Sequence, residues 1–354
     1  MVRSLFAFAL LGAQTLVNAA TKVETRTIDE IYKAALAEGG VVTLWHGGDE
    51  STQQDSLKAN FEKKFPGVTL NVTVDLSKYH DGRLDKQIAE NNVYVDSIIL
   101  QTLHDFPRWA SEGALLDYAP LGYDKILPEF KNKKTAAYYG LFISAWINQW
   151  DSGKLPNVAP VEWEDWVKPE FKDKLVLTYP NDDDAVLFAF DLIIKQYGTA
   201  WLDKLLALNP RWVRGTQTPR TVYPKNDTQW AATFTSSGNV NPVSPIKIAL
   251  PVKGQFVSWP QTGGILKNAP HPEGAKLLHA YLLSTEFQQL RGGWSVRGDV
   301  APPANFPAIL DVPGTDPTAF GKWMSDRAAV ERFRFWLEDR LGTAQGLSPI
   351  IDDL

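Results

Sequence analysis

The sequence predicts an α/β fold in two lobes. Three observations carry this. Strands alternate with helices from about residue 27 onward, the pattern of a parallel sheet with right-handed crossovers. The alternation starts again after the strand "LFISAWIN". At 354 residues the chain is long for one compact core and comfortable for two.

"TIDEIYKAALAEGG" opens with a capping box, Thr27 to Glu30, and stops at Gly39 and Gly40. "VVTLW" follows, apolar almost throughout, as a strand covered on both faces should be. "TQQDSLKANFEKKF" is a helix with Leu57, Phe61 and Phe65 on one stripe, ended by Pro66 and Gly67. "VTLNVTVDL" alternates strictly, with Val68, Leu70, Val72 and Val74 on one side and Asn71 on the wet one. Helix "DGRLDKQIAENN", strand "VDSIIL" and helix "DFPRWASEG" complete the first series.

The second series runs through a short helix "WEDWVKPEF", strand "KLVLTYP", helix "DDDAVLFAFDLIIKQYG", helix "WLDKLLALN" and strand "RWVRG". Strands "IKIALPV" and "FVSWPQ" come late. "PEGAKLLHAYLLSTEFQQL" and "AFGKWMSDRAAVERFRFWLEDRL" each predict one long helix. No internal repeat or low-complexity tract appears.

Composition excludes several classes. The net charge of −5 offers no basic surface for nucleic acid or an anionic membrane. Hydrophobic residues make up 44% and charged residues 22%, ordinary for a soluble globular protein. With no cysteine there is no thiol catalysis and no cysteine-bound metal. The start "MVRSLFAFALLGAQTLVNAA" has Arg3, an apolar run Leu5 to Leu11, and small residues at Val17 and Ala19. It predicts a signal peptide over 1–19, hence secretion. Sequons at Asn71 and Asn226 predict glycosylation sites.

Ligands of open α/β sheets sit beyond the carboxyl ends of strands. In "VVTLWHGGDES" the apolar run stops at Trp45, which makes His46, Gly47, Asp49 and Glu50 candidate pocket residues. Their rival role is to cap the next helix. Asp182 and Asp183 in "NDDDA" have the same two readings: a site for a cation, or a helix start offset by acids. Ser236 and Ser237 in "TFTSSG" offer hydroxyls and backbone donors for an anion. Trp146 and Trp259 lie near predicted strand ends. No histidine has a second ligand at metal spacing, so no metal and no cofactor is expected. No "GxSxG" elbow or Walker loop supports an enzyme. An acid pair such as Asp49 and Asp183 could imitate a glycosidase.

"VVTLWHGGDE", "FEKKFPGVTLNV", "DSIILQTLHDFPRWASEGALLDY", "WEDWVKPEFKDKLVLTYP" and "NAPHPEGAKLLHAYLLSTEFQQL" together resemble extracellular solute-binding proteins. The similarity is to ferric-iron-type substrate-binding proteins of ABC transporters, particularly secreted fungal counterparts, and covers about residues 40 to 345. It implies a type II periplasmic-binding fold with a ligand cleft between the lobes, and that "HGGDE" is pocket rim. It adds Gln101 and Thr102 after "DSIIL" to the pocket. Iron-binding members use a tyrosine pair in the second lobe; the corresponding "AATFTSSGNV" has none, and Tyr138-Tyr139 lies too early. Asp49 stands where some members place a metal-binding histidine, and Gln101 where a glutamate would ligate.

The expected protein is therefore a secreted solute-binding protein for a small-molecule or ion ligand, without the tyrosine iron site. A monomer is expected, with a membrane transporter or receptor as partner. The alternatives are a secreted hydrolase using cleft carboxylates and a scaffold that has lost its ligand and acts by surface contact. Lobe 1 is expected at 20–140 plus 255–354 and lobe 2 at 141–254.

Overall fold

The computed structural model describes residues 22–351. The predicted signal peptide, 1–19, lies outside the described residues. Among those described, no helix is long and apolar enough to cross a membrane.

The strands are β1 (Val41–Gly47), β2 (Thr69–Asp75), β3 (Ser97–Leu100), β4 (Tyr139–Ala145), β5 (Asn148–Asp151), β6 (Val176–Thr178), β7 (Arg211–Val213), β8 (Ala232–Thr233), β9 (Ile246–Ala249) and β10 (Ser258–Ile265). The first sheet has the order β2-β1-β3-β10-β4. β1 is parallel to β2 and β3; β10 is antiparallel to β3 and β4. The apolar run of β1 is explained by this central place, with Val42 and Leu44 fully buried. β2 is an edge strand, and its outward Asn71 is exposed.

The second lobe holds a sheet β8-β5-β9 and a parallel pair β6-β7, joined through a bridge between Leu175 and Ala232. Its core is aromatic. Phe234 packs on Trp163, Trp166, Phe190 and Trp201, with ring centroids 5.1–6.1 Å apart. Two antiparallel strands connect the lobes. β4 leaves the first sheet at Ala145, Trp146 and Ile147 make the crossing, and β5 begins in the second; β10 returns beside it. The fold is a two-lobed α/β architecture, as expected.

Three predicted helices are broken, each for a local reason. Pro272–Leu282 ends before Ser284, whose side chain accepts from Phe287 N–H and starts Thr285–Leu290. Ala319–Met324 and Arg327–Leu341 are separated at Asp326, which caps the second. "WEDWVKPEF" is two 3₁₀ turns divided by Pro169, which cannot continue a helix. The C-terminal helices pack across the lobes. Phe320 meets Trp259 of β10 at 5.6 Å, while Trp323 meets Phe188 of the second-lobe helix Asp184–Tyr197 at 5.1 Å.

Candidate functional site

A cavity of about 270 Å³ lies between the lobes, beyond the carboxyl ends of β1 and β3 on one side and of β6, β7 and β8 on the other. The first lobe contributes His46 to Asp49, Gln101 and Thr102. The second contributes Asp182 to Asp184, Thr216, Gln217 and Ser237. Gly47 is required by a close approach: a Cβ there would run into the Ser77 hydroxyl, which accepts the Gln101 N–H at 2.9 Å.

His46 is buried and its Nδ1 donates to its neighbour's carbonyl, Gly47 O, at 2.7 Å. Burial lowers the imidazole to about 4, so at neutral pH it is uncharged. Its ring lies parallel to Phe142 at 6.0 Å. Trp146 and Trp259 line the cavity as a buried edge-to-face pair at 4.8 Å. Trp259 donates to Gln261, whereas the Trp146 Nε1 is buried without a hydrogen-bond partner among the described residues.

Asp49 does not cap the following helix. That helix, Asp55–Lys64, begins at Gln54 with no side-chain cap, and the amide of Gln53 accepts the Asp49 N–H at 2.8 Å instead. The Asp49 carboxylate reaches into the other lobe. Its Oδ2 accepts from Thr216 N–H at 2.8 Å, the Thr216 hydroxyl at 2.6 Å and Gln217 N–H at 3.3 Å. Burial raises its pKa, against the pull of those donors. A second interlobe contact lies nearby: Asp182 binds Lys78 at 2.6 Å and Arg214 at 2.9 Å, and Arg214 reaches the Tyr79 hydroxyl. The Lys78 and Arg214 charges hold Asp182 below its ordinary value despite burial.

Asp183 is the N-cap of helix Asp184–Tyr197, accepting from Val186 N–H at 2.9 Å, while also lining the cavity. Asp184 is neutralised by Arg327 and Arg334 at 2.8 and 2.6 Å. Glu50 and Ser236 do not line the cavity. Glu50 is half-buried in the field of Arg220. Ser236 is fully buried, with its carbonyl taken by Gln149 and its hydroxyl turned to Ser237 O.

Burial, with Asp49 and Asp184 nearby, pushes Asp183 up to about 7. An acid raised in the folded state costs stability as pH climbs from its unfolded value, near 3.8, through about 7. Asparagine caps as well as aspartate. Asp183→Asn is therefore expected to melt like the parent near pH 4 and above it near pH 8. Parallel melts at both pH values check this; equal melting at pH 8 would show that Asp183 carries no such penalty.

Sequence reasoning missed the main cation of the site. Arg291, just past helix Thr285–Leu290, lies with its guanidinium 3.7 Å from the centre of the Phe142 ring and lines the cavity. Arg291 is an exposed residue that also lines the cavity. Among the described residues its guanidinium makes no hydrogen bond or ion pair, and desolvation by the surrounding protein lowers its pKa. Lys78, Asp81 and Thr216 were also missed. Each sits in a polar stretch whose only local signal is that of a solvated surface. Among the described residues no three His, Cys, Asp or Glu side chains gather to hold a metal, and no tyrosine lines the cavity.

Residues 106–323 match the family described as bacterial extracellular solute-binding protein. A putative 2-aminoethylphosphonate-binding periplasmic protein of Salmonella typhimurium is 28% identical over 286 residues, covering 74% of this chain and 80% of that one. Among solved structures, the periplasmic binding protein AfuA of Actinobacillus pleuropneumoniae, with fructose-6-phosphate bound, is similar in fold. Its TM-score is 0.67 at 17% identity, over 86% of this chain and 100% of that one. Iron-bound HitA of Pseudomonas aeruginosa has a TM-score of 0.64 at 14% identity, over 84% and 99%. These likenesses are of fold alone, whereas the family match spans more than half of the sequence. The chain belongs to the bacterial extracellular solute-binding protein family.

Proposed function

We propose that this protein captures a small anionic solute, of the phosphonate or phosphate-ester class, in its interlobe cavity. The observation that carries the reading is Arg291. A guanidinium with no ion-pair partner on the wall of a cavity is a ready site for an anion. Its planar fork suits tetrahedral oxyanions and is not easily neutralised by proton loss. The names of two similar proteins, one a putative aminoethylphosphonate binder and one with a sugar phosphate bound, support the same class. Ferric ion suits the cavity poorly, since no tyrosine lines it. The family is one of solute-binding proteins, which weighs against the hydrolase alternative.

The reading includes export under residues 1–19, a monomer, glycans on the exposed Asn71 and Asn226 in a host that adds them, and delivery of solute to a membrane transporter. Lobes at 20–140 with 255–354 and at 141–254 remain our assignment, with residues 319–341 straddling both.

The test is calorimetric titration of a panel of phosphonates, sugar phosphates and ferric citrate, repeated on Arg291→Gln. Losing a charge-assisted hydrogen bond to the solute costs about 1.5 kcal/mol or more, roughly tenfold in affinity. Unchanged phosphonate or phosphate binding by Arg291→Gln would remove the argument, as would tight ferric binding with none to the oxyanions.

A further inference from the structure

We propose that the cavity has a second, acidic pole, formed by Asp81, Asp105 and Thr102, which receives a primary ammonium group, so that the solute is a zwitterion carrying both an amine and an oxyanion. This rests on the anion reading above and adds to it the other half of the ligand.

Asp81, on helix Ser77–Ala89, lines the cavity. One of its oxygens accepts the Gly82 N–H. Its carboxyl lies near that of Asp105, and burial together with this neighbour pushes Asp81 up to about 7. Two acids so placed repel one another when both are ionised. The pair has one cation already: Arg108 binds Asp105 Oδ1 at 2.8 Å, but it also holds Asp85.

The second observation is independent of charge. Asp105 Oδ2 and the Thr102 hydroxyl are buried, each residue only 6% exposed, and among the described residues neither atom has a hydrogen-bond partner, the His104 Nε2 standing 3.8 Å from Asp105 Oδ2. The Nδ1 of His104 between them is also without one. Buried polar atoms are nearly always paired, so three orphans within four residues, two of them on the cavity-lining Thr102 and His104 and the third on Asp105, which does not itself line the cavity, ask for a donor from outside the chain. Asp105 Oδ2 accepts only. Burial lowers the imidazole of His104, leaving it neutral and able to present an acceptor nitrogen.

An ammonium group supplies three donors on one positive charge, which matches acceptors grouped around an acid pair. A multivalent metal ion matches less well, because no three ligating side chains gather among the described residues. A guanidinium is planar and would not serve acceptors grouped around a single point.

The experiment compares 2-aminoethylphosphonate with ethylphosphonate, which lacks the amine, on the full chain, on Asp81→Asn and on the near-isosteric Thr102→Val. The parent protein should bind the amine-bearing compound at least about tenfold more tightly, the scale of a charge-assisted hydrogen bond. In Asp81→Asn that preference should fall to within about threefold, and in Thr102→Val it should shrink. Equal affinities in the parent would overturn the inference, even if Asp81→Asn failed to fold. So would an intact preference in Asp81→Asn. If neither phosphonate binds, the anion reading falls first, a result distinct from loss of the amine preference alone.

Discussion

Asp49→Ala is expected to open the cleft and weaken solute binding by at least about thirtyfold, with little change in melting temperature. The carboxylate makes three hydrogen bonds across the lobes, two to backbone N–H groups and one to a hydroxyl. Hydrogen bonds to a charged group contribute roughly 1.5–3 kcal/mol each, and less than additively when they share an acceptor. Losing all three shifts the closure equilibrium by about 2 kcal/mol or more. The change in closure is felt in affinity, because the binding-competent form becomes the minor one. The cores of both lobes are untouched, and Asp49 caps no helix, so the loss of a cap is not part of the effect. Small-angle scattering should show a larger radius of gyration for Asp49→Ala than for the parent. Thr216→Val, which keeps the backbone donors, should fall between the two. An Asp49→Ala profile that overlays the parent's, with unchanged affinity, would refute the latch.

Phe234→Ala should destabilise the second lobe by about 3–5 kcal/mol, the range for removing a large buried aromatic side chain, and lower its melting temperature by ~10 °C. Phe234 is 1% exposed and touches four aromatic rings, so the space it leaves cannot easily collapse. The effect reaches the cavity through the chain. The next residue, Thr235, offers its hydroxyl to Thr178 N–H of β6 at 2.8 Å, and two further on Ser237 lines the cavity. Phe234→Leu should cost much less. Tryptophan fluorescence during thermal or urea unfolding reads this directly, and a loss under 1 kcal/mol would mean that the ring is not the keystone of that core.

The two-lobed fold was legible because strand and helix patterns are local. β1 read as a continuous apolar run because it is flanked by strands and covered by helices; β2 read as alternating because it is an edge. The position of the cavity followed from where β1 ends. The roles within it were less legible. Asp49 could be placed at the rim but not understood, since its partners lie 167 and 168 residues away in the other lobe. Asp183 is both things the sequence allowed, a helix cap and a wall of the cavity. Arg291 looked like any cation after a helix; only its stacking on Phe142, from a different strand, makes it a free charge in a cavity. The broken helices were misread because apolar spacing continued across Ser284 and Asp326, and periodicity alone does not register a new cap.

The C-terminal helices give the joint between the lobes a third tether. Two adjacent antiparallel strands alone make a ribbon that bends and also twists. Here the segment after β10 runs from Phe320 against Trp259 to Trp323 against Phe188, and Gly342 O accepts from Asn181 on the far lobe. Three tethers at different points oppose torsion and leave bending as the soft coordinate. The two jaws should then meet in the same register at each cycle, so that Asp49 finds Thr216 and Gln217 without a rotational search. Such a joint favours rapid, repeatable capture over adaptation to solutes of different shape.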